Sequence, residues 1–506
     1  HRDLHSFPTR RSSDLLRSLI SLAVLVLMTL FFLSFAGEKE GGGGLPWLQA
    51  VPSALRWWAG ALLLAASALL AGRAYCSVLC PLGTFQELLW SARKPPASYR
   101  KPSRVRYWTL GGVLAAAAAG FMFPAAFFDP YAAFGRGVTH LVRPLAIAGN
   151  NAAATFLEGR GVYGVLHRIA GTQLLPWMLW GSAFFFALLA LWSFFKGRPF
   201  CDALCPVGTF LGLFSLSPVI GIRFDKERCA GCGCCESVCP EGCLSATEQR
   251  VDSDRCVLCL RCTEACPVEG LRVGRISPEE GYVRRGALRY AFGALAAFVS
   301  AWGAQRPDRT IPASAASWEE RLPVSPPGSR THGNFSEKCV VCTACVAACP
   351  AGIIRPSLSA WGLQGIFQPE LDFSKGYCQF ECAACSAACP TGAILPLRLE
   401  EKQKISIGKA RFLPRNCIVR KYGQACGACS EHCPTQAVRM VPFRRNLTIP
   451  EVDTSLCLGC GACEYACPET PKAITVSGIS VHGRIRELVQ EGADAPVVAP
   501  LEEFPF

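Results

Sequence analysis

Cysteine dominates the chemistry available to this chain, which has 30 cysteines among 506 residues. Twenty-four of them fall into six runs of four, mostly with gaps of two and three residues, and each run ends in Cys-Pro. Short gaps put three thiolates on one tight loop, where they can reach three irons of a cubane, while the fourth cysteine ligates a second cluster. The runs therefore predict [4Fe–4S] clusters, six in all.

The first two runs predict a ferredoxin-like module over residues 223–275 with two clusters. Because the fourth cysteine of each run ligates the other cluster, we predict two interlocked ligand sets. They are Cys229, Cys232, Cys235 and Cys266 for one cluster, and Cys256, Cys259, Cys262 and Cys239 for its partner. Cys234 and Cys243 lie outside this scheme. Cys234 could compete with Cys235 as a ligand, although a bystander thiol is the favoured interpretation.

Four further runs predict a four-cluster ferredoxin-like domain over residues 305–506. Two of these runs have longer first gaps, of three and eight residues, which predicts irregular loops. The predicted ligands are Cys339, Cys342, Cys345 and Cys349; Cys378, Cys382, Cys385 and Cys389; Cys417, Cys426, Cys429 and Cys433; and Cys457, Cys460, Cys463 and Cys467.

Two other uses of cysteine compete with clusters. Structural zinc sites pair two C-x2-C knuckles, whereas these runs are triplets followed by Cys-Pro. A secreted disulfide scaffold would spread its cysteines through loops. The spacing favours clusters over both.

A second cysteine motif occurs twice, as Cys76-x3-Cys80-Pro81 followed by Leu-Gly-Thr-Phe, and as Cys201-x3-Cys205-Pro206 followed by Val-Gly-Thr-Phe. The repeat predicts two duplicated two-helix units that bring four thiols together at one membrane face. Three interpretations stay open: a seventh cluster, a dithiol relay, or reduced cysteines that pack a helix end.

The elements that must position these cysteines include long apolar segments. Four stretches are about long enough to cross a bilayer as helices, and a fifth is shorter. They are Leu19–Ala36, Ser53–Gly72, Tyr107–Phe128, Leu174–Phe195 and Ala287–Ala304. The fold class is therefore mixed: an α-helical membrane bundle of four to five spans, over residues 15–222 and 282–304, with small α+β ferredoxin-like 4Fe–4S domains.

Charge between these stretches predicts their orientation. The connection between the second and third carries a single acid, Glu87, and seven basic residues: Arg73, Arg93, Lys94, Arg100, Lys101, Arg104 and Arg106. By the positive-inside rule this connection is cytoplasmic. The module over residues 223–275 is then cytoplasmic, and the connection Asp129–Thr172 is periplasmic.

Sequence signals mark both ends of the predicted membrane bundle. Arg284-Arg285 precedes the fifth stretch and resembles a twin-arginine export signal, with an ordinary positive-inside anchor as the alternative; both place residues 305–506 in the periplasm. Residues 1–14 resemble a translated sequencing adaptor, and we expect an artefact or a disordered tail there.

These motifs together resemble a known family. Residues up to about 275 look like the NapH-type membrane polyferredoxin of periplasmic nitrate reductase systems, and those from about Tyr282 look like the NapG-type periplasmic iron–sulfur subunit. The resemblance implies a bacterial inner-membrane protein that takes electrons from quinol and delivers them to a periplasmic cytochrome or reductase. It also implies that the first and fourth C-terminal runs interlock, as do the second and third.

Quinol oxidation would need a proton acceptor. Asp129 is the leading candidate catalytic residue, and His140, Glu158 and His167 lie in the same connection. The chain could be a quinol dehydrogenase component or an electron carrier only. Competing functions are a conduit from a cytoplasmic donor and a redox assembly factor for a partner enzyme. No nucleotide or flavin motif stands out. Most of the excess positive charge behind the formal +13 lies in short stretches beside apolar segments, which argues against nucleic acid.

Overall fold

The computed structural model describes residues 12–33, 49–52, 58–93, 97–119, 121–163, 165–169, 175–216, 218–275, 293, 322–362, 365–444 and 446–486. The predicted anchor at residues 282–304, with Arg284-Arg285, lies outside these residues apart from position 293. Residues 12–14, expected to belong to the tail, instead begin the first helix, where Asp14 pairs with Arg17 at 2.9 Å.

The first part of the chain is helical. Its helices are α1 (Ser12–Leu33), α2 (Trp58–Ala71), α3 (Ala74–Val78), α4 (Pro81–Arg93), α5 (Val105–Ala118), α6 (Phe123–Phe128), α7 (Pro130–Gly137), a π-helical turn (Val138–Val142), α8 (Arg143–Glu158), α9 (Pro176–Lys196), α10 (Pro199–Ala203) and α11 (Pro206–Phe214).

Two helices in the described part of the chain are long and apolar enough to cross a membrane, at Asp14–Leu33 and Pro176–Lys196. Of the other predicted spans, α2 contributes a shorter apolar helix, Leu62–Ala71. The stretch Tyr107–Phe128 is divided between α5 and α6, and Pro124 stands in the first turn of α6, where its missing backbone N–H is tolerated. A bundle of four to five spans therefore stays a prediction.

The predicted connection Asp129–Thr172 is mostly helix rather than open loop. Asp129 adopts an extended backbone conformation and caps α7, since its Oδ2 accepts a hydrogen bond of 2.9 Å from the backbone N–H of Ala132. The π-helical turn then leads directly into α8.

The first ferredoxin module is a small α+β unit bounded by two strands that pair with each other although they lie far apart in the sequence. β1 (Ile220–Phe224) pairs antiparallel with β4 (Leu271–Arg275), so the module begins and ends side by side. Between them lie the short helices α12 (Cys234–Ser237) and α13 (Arg261–Ala265), and a hairpin of β2 (Leu244–Ser245) and β3 (Arg250–Val251).

The described part of the C-terminal module, residues 322–486, holds three strand pairs. The hairpin β5 (Ile354–Pro356) and β6 (Pro369–Leu371) precedes the long pair of β7 (Ile405–Phe412) with β10 (Ile474–Arg484), which encloses the hairpin β8 (Val438–Pro442) and β9 (Thr448–Val452). Its helices are α14 (His332–Lys338), α15 (Ala344–Ala348), α16 (Ala384–Ala388), α17 (Leu399–Lys402), a 3-10 turn (Pro414–Asn416), α18 (Ile418–Tyr422), α19 (Ala428–Glu431) and α20 (Ala462–Ala466).

The two ferredoxin modules contact opposite ends of α1. Near its start, Arg17 pairs with Glu87, which also pairs with Arg261 of the first module at 2.8 Å. Near its end, Phe32 packs in a buried cluster with Ala344 of the C-terminal module. A helix of 22 residues is about 33 Å long, roughly the thickness of a bilayer's hydrocarbon.

Candidate iron–sulfur sites

Each set of cysteines in the first module lines one cavity. Cys229, Cys232, Cys235 and Cys266 surround a cavity of about 270 Å³. A second cavity of about 310 Å³ is lined by Cys239, Cys256, Cys259 and Cys262. The structure therefore brings together the two interlocked sets that the spacing predicts.

The loops that carry these cysteines turn by means of residues with positive φ. Gly231 and Gly233 supply them in the first run, and Leu258 and Leu260 in the second. Leucine at φ near 60° is strained, so the fold tolerates this conformation to hold three thiols on one side of the loop.

The two extra cysteines of the first module differ. Cys235 lines its cavity, whereas Cys234 does not, which supports Cys235 as the ligand. Cys243, in contrast, lines the second cavity, and its Sγ lies 3.6 Å from that of Cys239. That cavity thus has five thiols, a feature that the spacing rule does not predict.

In the C-terminal module the cysteines group differently from the expectation. One cavity, of about 350 Å³, is lined by Cys349, Cys378, Cys382 and Cys385. Cys389 lies within electrostatic range of the first three cysteines of the preceding run, Cys339, Cys342 and Cys345. The first run therefore interlocks with the second, and the expected pairing with the fourth is wrong.

The third and fourth runs interlock in the same way. Cavities of about 360 and 290 Å³ are lined by Cys417, Cys426, Cys429 and Cys467, and by Cys433, Cys457, Cys460 and Cys463. The physical reason is local: a hairpin follows the first run of each pair and folds the chain back, as β2–β3 does in the first module. Consecutive runs are thereby brought face to face.

The thiol groups fit cubanes better than single ions. All thirty cysteines are free of disulfides. Within the described ranges, no three His, Cys, Asp or Glu side chains converge as tightly as a mononuclear metal site requires, whereas a cubane holds its ligands further apart. Burial raises the pKa of Cys235 and of Cys429 to about 11, so cluster binding must release protons from these thiols.

The two C-x3-C-P motifs meet in one buried site, as the repeat predicts. Their four thiols, Cys76, Cys80, Cys201 and Cys205, are each 3–4% exposed and share one packed core. We call them the four-thiol site. Backbone N–H groups of Gly83 and Gly208 donate to the Sγ atoms of Cys80 and Cys205 at 3.4 and 3.2 Å.

Two arginines that sequence reasoning did not select complete this site. Arg73 donates from Nη2 to the carbonyl of Cys201 at 3.1 Å, and Arg198 donates from Nη1 to the carbonyl of Cys76 at 2.9 Å. Each arginine stands three residues before the first cysteine of its own motif and binds the other motif. The sequence does contain a signal for these two arginines, because the repeat extends upstream of each motif as Gly72-Arg73 and Gly197-Arg198.

Buried polar side chains follow one another from the N-cap of α7 to the π-helical turn. Asp129 Oδ1, Tyr131 OH, Thr139 Oγ1 and His140 Nε2 have no hydrogen-bond partner among the described residues. We call these four residues the polar pocket; of them, Asp129 and Tyr131 lie within electrostatic range of each other. Burial raises the pKa of Asp129 to about 6 and, together with the charge of Arg136, lowers that of His140 to about 4.

The other two predicted proton acceptors lie elsewhere. Glu158 pairs with Arg168 at 2.5 Å near the surface, and His167 is exposed. Neither joins the polar pocket, so the structure narrows the four candidates to Asp129 and His140.

The polar pocket lies against a cluster-ligand loop. Arg136 donates to the carbonyls of Ala126 and Val341, at 3.0 and 3.4 Å, which ties α7 to the first C-terminal run. Tyr131 lies within electrostatic range of Cys342 and Cys389. Tyr131 is therefore next to the predicted ligand set of Cys339, Cys342, Cys345 and Cys389.

Family models match all three groups of cysteines. A model described as a 4Fe–4S binding domain matches residues 53–97 and 177–223. A second model with the same description matches residues 222–245 and 250–272. A model described as a 4Fe–4S dicluster domain matches residues 338–393 and 424–470. The dicluster match at 338–393 spans the first and second C-terminal runs together, in agreement with the pairing in the structure.

Curated relatives are ferredoxin-type proteins. Methylamine utilization ferredoxin-type protein MauN of Paracoccus denitrificans is 28% identical over 200 residues, which cover 38% of this chain and 56% of that protein. MauM of Methylobacillus flagellatus is 33% identical over 174 residues, covering 33% of this chain and 71% of MauM. Ferredoxin-type protein NapF of Escherichia coli K12 is 28% identical over 159 residues, which cover 31% of this chain and 87% of NapF. This chain thus spans little more than half the length of MauN.

Proposed function

Because the chain belongs to the family of ferredoxin-type 4Fe–4S proteins and is an iron–sulfur electron-transfer protein, we propose that it passes electrons from membrane quinol to a periplasmic reductase such as nitrate reductase. Six [4Fe–4S] clusters, held by the six ligand sets, would carry the electrons. The proposal places the protein in the bacterial inner membrane, with the first module in the cytoplasm and the C-terminal module in the periplasm.

Membrane placement is supported by the apolar surfaces of α1 and α9. Large side chains such as Leu16, Leu30, Trp180 and Phe184 are more than half exposed. Apolar surface on this scale is unusual for a soluble monomer and suits contact with lipid. The position of the two modules at opposite ends of α1 supports the proposed topology.

The polar pocket is the observation that carries the quinol proposal. Oxidation of a quinol releases two protons and two electrons, so its site needs a proton acceptor beside an electron acceptor. Asp129 and His140 offer an unpartnered carboxylate oxygen and ring nitrogen. Cys342 and Cys389, which lie near Tyr131, would hold the cluster that supplies one-electron chemistry there.

The residues of the pocket have separable roles. Asp129 and His140 would accept protons from the quinol hydroxyls, and Tyr131 and Thr139 would hold the headgroup by hydrogen bonds. Arg136 would keep α7 against the first C-terminal run through its bonds to Ala126 and Val341.

Oxidation of a short-chain quinol by anaerobically purified protein tests the proposal, with the loss of cluster absorbance as the readout. Asp129→Asn should slow this oxidation by about 10²-fold or more, because general base catalysis typically contributes about 10²–10⁴-fold. Glu158→Gln is the matched control, since that carboxylate is paired near the surface. Wild-type protein that does not oxidise quinol, or equal effects of the two variants, would contradict the proposal.

The terminal acceptor is a separate choice. The names of MauN and MauM connect those proteins with methylamine utilisation, which makes that pathway the competitor of nitrate reduction. Reoxidation of the reduced protein by a purified periplasmic nitrate reductase, compared with a methylamine-linked cytochrome, distinguishes the two.

A further inference from the structure

Cys243 stands at a position that recurs along the chain. It lies four residues after the last cysteine of the first run and is 3% exposed. After the other five runs the same position has a side chain without a hydrogen-bond donor: Gly270, Ile353, Ala393, Ala437 and Pro471. The isoleucine and the two alanines are as deeply buried as Cys243. The first run therefore has a thiol where three of the others have an apolar core side chain.

The thiol of Cys243 is surrounded by ligand sulfurs. A buried cysteine often packs as a small apolar side chain, but the Sγ of Cys243 lies 3.6 Å from that of Cys239. It is also within hydrogen-bond reach of the thiol of Cys256. Both neighbours are predicted ligands of the second cavity, which Cys243 lines with them. The S–H of Cys243 can therefore be donated to either of two ligand sulfurs.

The backbone around Cys243 fixes the position of its thiol. The backbone N–H of Asp252 donates to the carbonyl of Cys243 at 2.8 Å. Arg255, directly before the first cysteine of the second run, donates from Nη2 to the carbonyl of Glu241 at 2.7 Å. These bonds join the segment that carries Cys243 to the start of the second run, so the thiol is held between ligands from both runs.

The ligand Cys239 has one more donor than its counterpart in the second run. The backbone N–H of Gly270 donates to Cys266 Sγ at 3.2 Å, and the backbone of Cys243 makes the corresponding bond to Cys239. The thiol of Cys243 is additional. Hydrogen bonds to sulfur raise the reduction potential of a cluster, because they stabilise the more negative, reduced state.

The two cavities of the first module differ in their surroundings. Cys232, in the first cavity, is exposed. The carbonyl of Cys256, in the second, lies 3.7 Å from where a Cβ of Gly72 would stand, and Arg198 donates its backbone N–H to the carbonyl of Pro240 at 3.3 Å. The second cavity therefore lies against the four-thiol motifs. We call its cluster the inner cluster and that of the first cavity the outer cluster.

We propose that Cys243 raises the reduction potential of the inner cluster by donating its S–H to the sulfur of Cys239 or Cys256, without itself binding iron. Four cysteines complete a cubane, so the fifth thiol acts on the ligands rather than on the metal. Water stabilises the reduced state of the exposed outer cluster, and burial deprives the inner cluster of that stabilisation. The thiol offsets this loss.

The consequence is a shift in a one-electron exchange. The outer cluster is oxidised by one electron and the inner cluster is reduced by it. No bond is made or broken, and the hydrogen stays on the sulfur of Cys243. A higher potential of the inner cluster moves this equilibrium towards the four-thiol motifs, so Cys243 favours electrons on the side of the module that contacts the helices.

A redox titration of anaerobically purified full-length protein, followed by electron paramagnetic resonance, tests the proposal. Dithionite and ferricyanide are the titrants, with soluble mediators and no quinol. The signal of the inner cluster is the one that Cys262→Ala abolishes, since Cys262 lines the second cavity. Cys243→Ala should lower the midpoint potential of that signal only. One hydrogen bond corresponds to about a fivefold change in the ratio of reduced to oxidised cluster, or about 40 mV.

Two further variants separate the hydrogen bond from packing. Cys243→Ser keeps a donor and should shift the potential less than Cys243→Ala does. Cys234→Ala removes the other extra thiol of the module, which does not line the first cavity, and should leave the inner cluster unchanged. An unchanged potential in Cys243→Ala, an equal shift in Cys243→Ser, or a shift of another signal would overturn the proposal.

Iron content distinguishes a donor from a ligand. Cys243→Ala introduces the residue that two other runs have at this position, and it should keep the iron content of the wild-type protein. Cys262→Ala should lose about four irons per chain. Loss of about four irons in Cys243→Ala would make Cys243 a ligand and overturn the proposal. Neither measurement involves quinol, so a protein that fails to oxidise quinol can still show the shift.

Discussion

Arg17 and Glu87 form a buried, two-pronged ion pair: Nη2 and Nη1 of the arginine donate to Oε1 and Oε2 at 2.8 and 3.2 Å. Glu87 also pairs with Arg198 at the four-thiol site and with Arg261 of the first module. One carboxylate thus joins α1, a C-x3-C-P motif and a ferredoxin loop. Burial opposes its ionisation, but the three arginines lower the pKa of Glu87 to about 2.

Replacement of Glu87 by glutamine should destabilise the protein by about 3–5 kcal/mol, because it leaves three arginines without their shared counter-charge. The measurement is the midpoint of thermal unfolding of the full chain in detergent. Glu248→Gln is the control, since Glu248 is exposed and 3.9 Å from Arg250. Similar midpoints for both variants would contradict the structural role of Glu87.

Gly83 is predicted to be essential for the close packing of the start of α4 against Cys76 of the same motif. A Cβ there would stand 2.5 Å from the carbonyl oxygen of Cys76 and 3.5 Å from Arg198 Nη1. Gly83→Ala should therefore cost about 1–3 kcal/mol of stability, as overpacking does. Gly111→Ala, where nothing lies within 4 Å in the middle of α5, should be neutral or slightly stabilising. An unchanged unfolding midpoint for Gly83→Ala would show that α4 is not packed this closely against the carbonyl of Cys76.

The interlock of the C-terminal runs can be tested by iron loss in double variants. Cys342→Ser and Cys389→Ser affect the same ligand set, so the double variant should lose about four irons, no more than either single variant. Cys382→Ser with Cys389→Ser affects two sets and should lose about eight. Pairing of the first run with the fourth would change the first result only: iron losses at Cys342 and Cys389 would then add to about eight.

Acid should destabilise the C-terminal module through two histidines, the buried His332 and the partly buried His482. Burial lowers the pKa of His332 to about 4, and burial with the charge of His332 lowers that of His482 to about 4. Between about 6.5 and about 4 the unfolded chain binds protons that the folded chain does not. Stability should therefore fall with falling pH in this window, by up to about 1.4 kcal/mol per pH unit for each histidine.

His482→Gln should reduce this pH dependence, measured as denaturant midpoints of the full chain from pH 4.5 to 7. Glutamine can still bond to Ser325, which lies 2.9 Å from His482 Nε2. His432→Gln is the control, because His432 is exposed. An equal pH dependence in both variants would assign acid sensitivity to other groups.

The residue types and spacing by themselves determined the 24 cysteines of the runs, the interlock within the first module and the meeting of the two C-x3-C-P motifs. Those features are local or repeated: a run of four cysteines with short gaps has few ways to hold a cubane, and a duplicated motif packs against its copy. The upstream Gly-Arg of each motif was also readable from the repeat, although only the structure shows that each arginine binds the other motif.

Tertiary structure decided what depends on long-range packing. The C-terminal pairing follows from the hairpins β5–β6 and β8–β9, whose short strands carry little sequence signal. The partition of the four proton-acceptor candidates follows from how α7 packs against the Val341 loop, which places Asp129 inside and leaves Glu158 near the surface. The burial of a side chain depends on the residues that pack around it, and some of these residues, such as Val341 beside α7, lie about two hundred positions away along the chain.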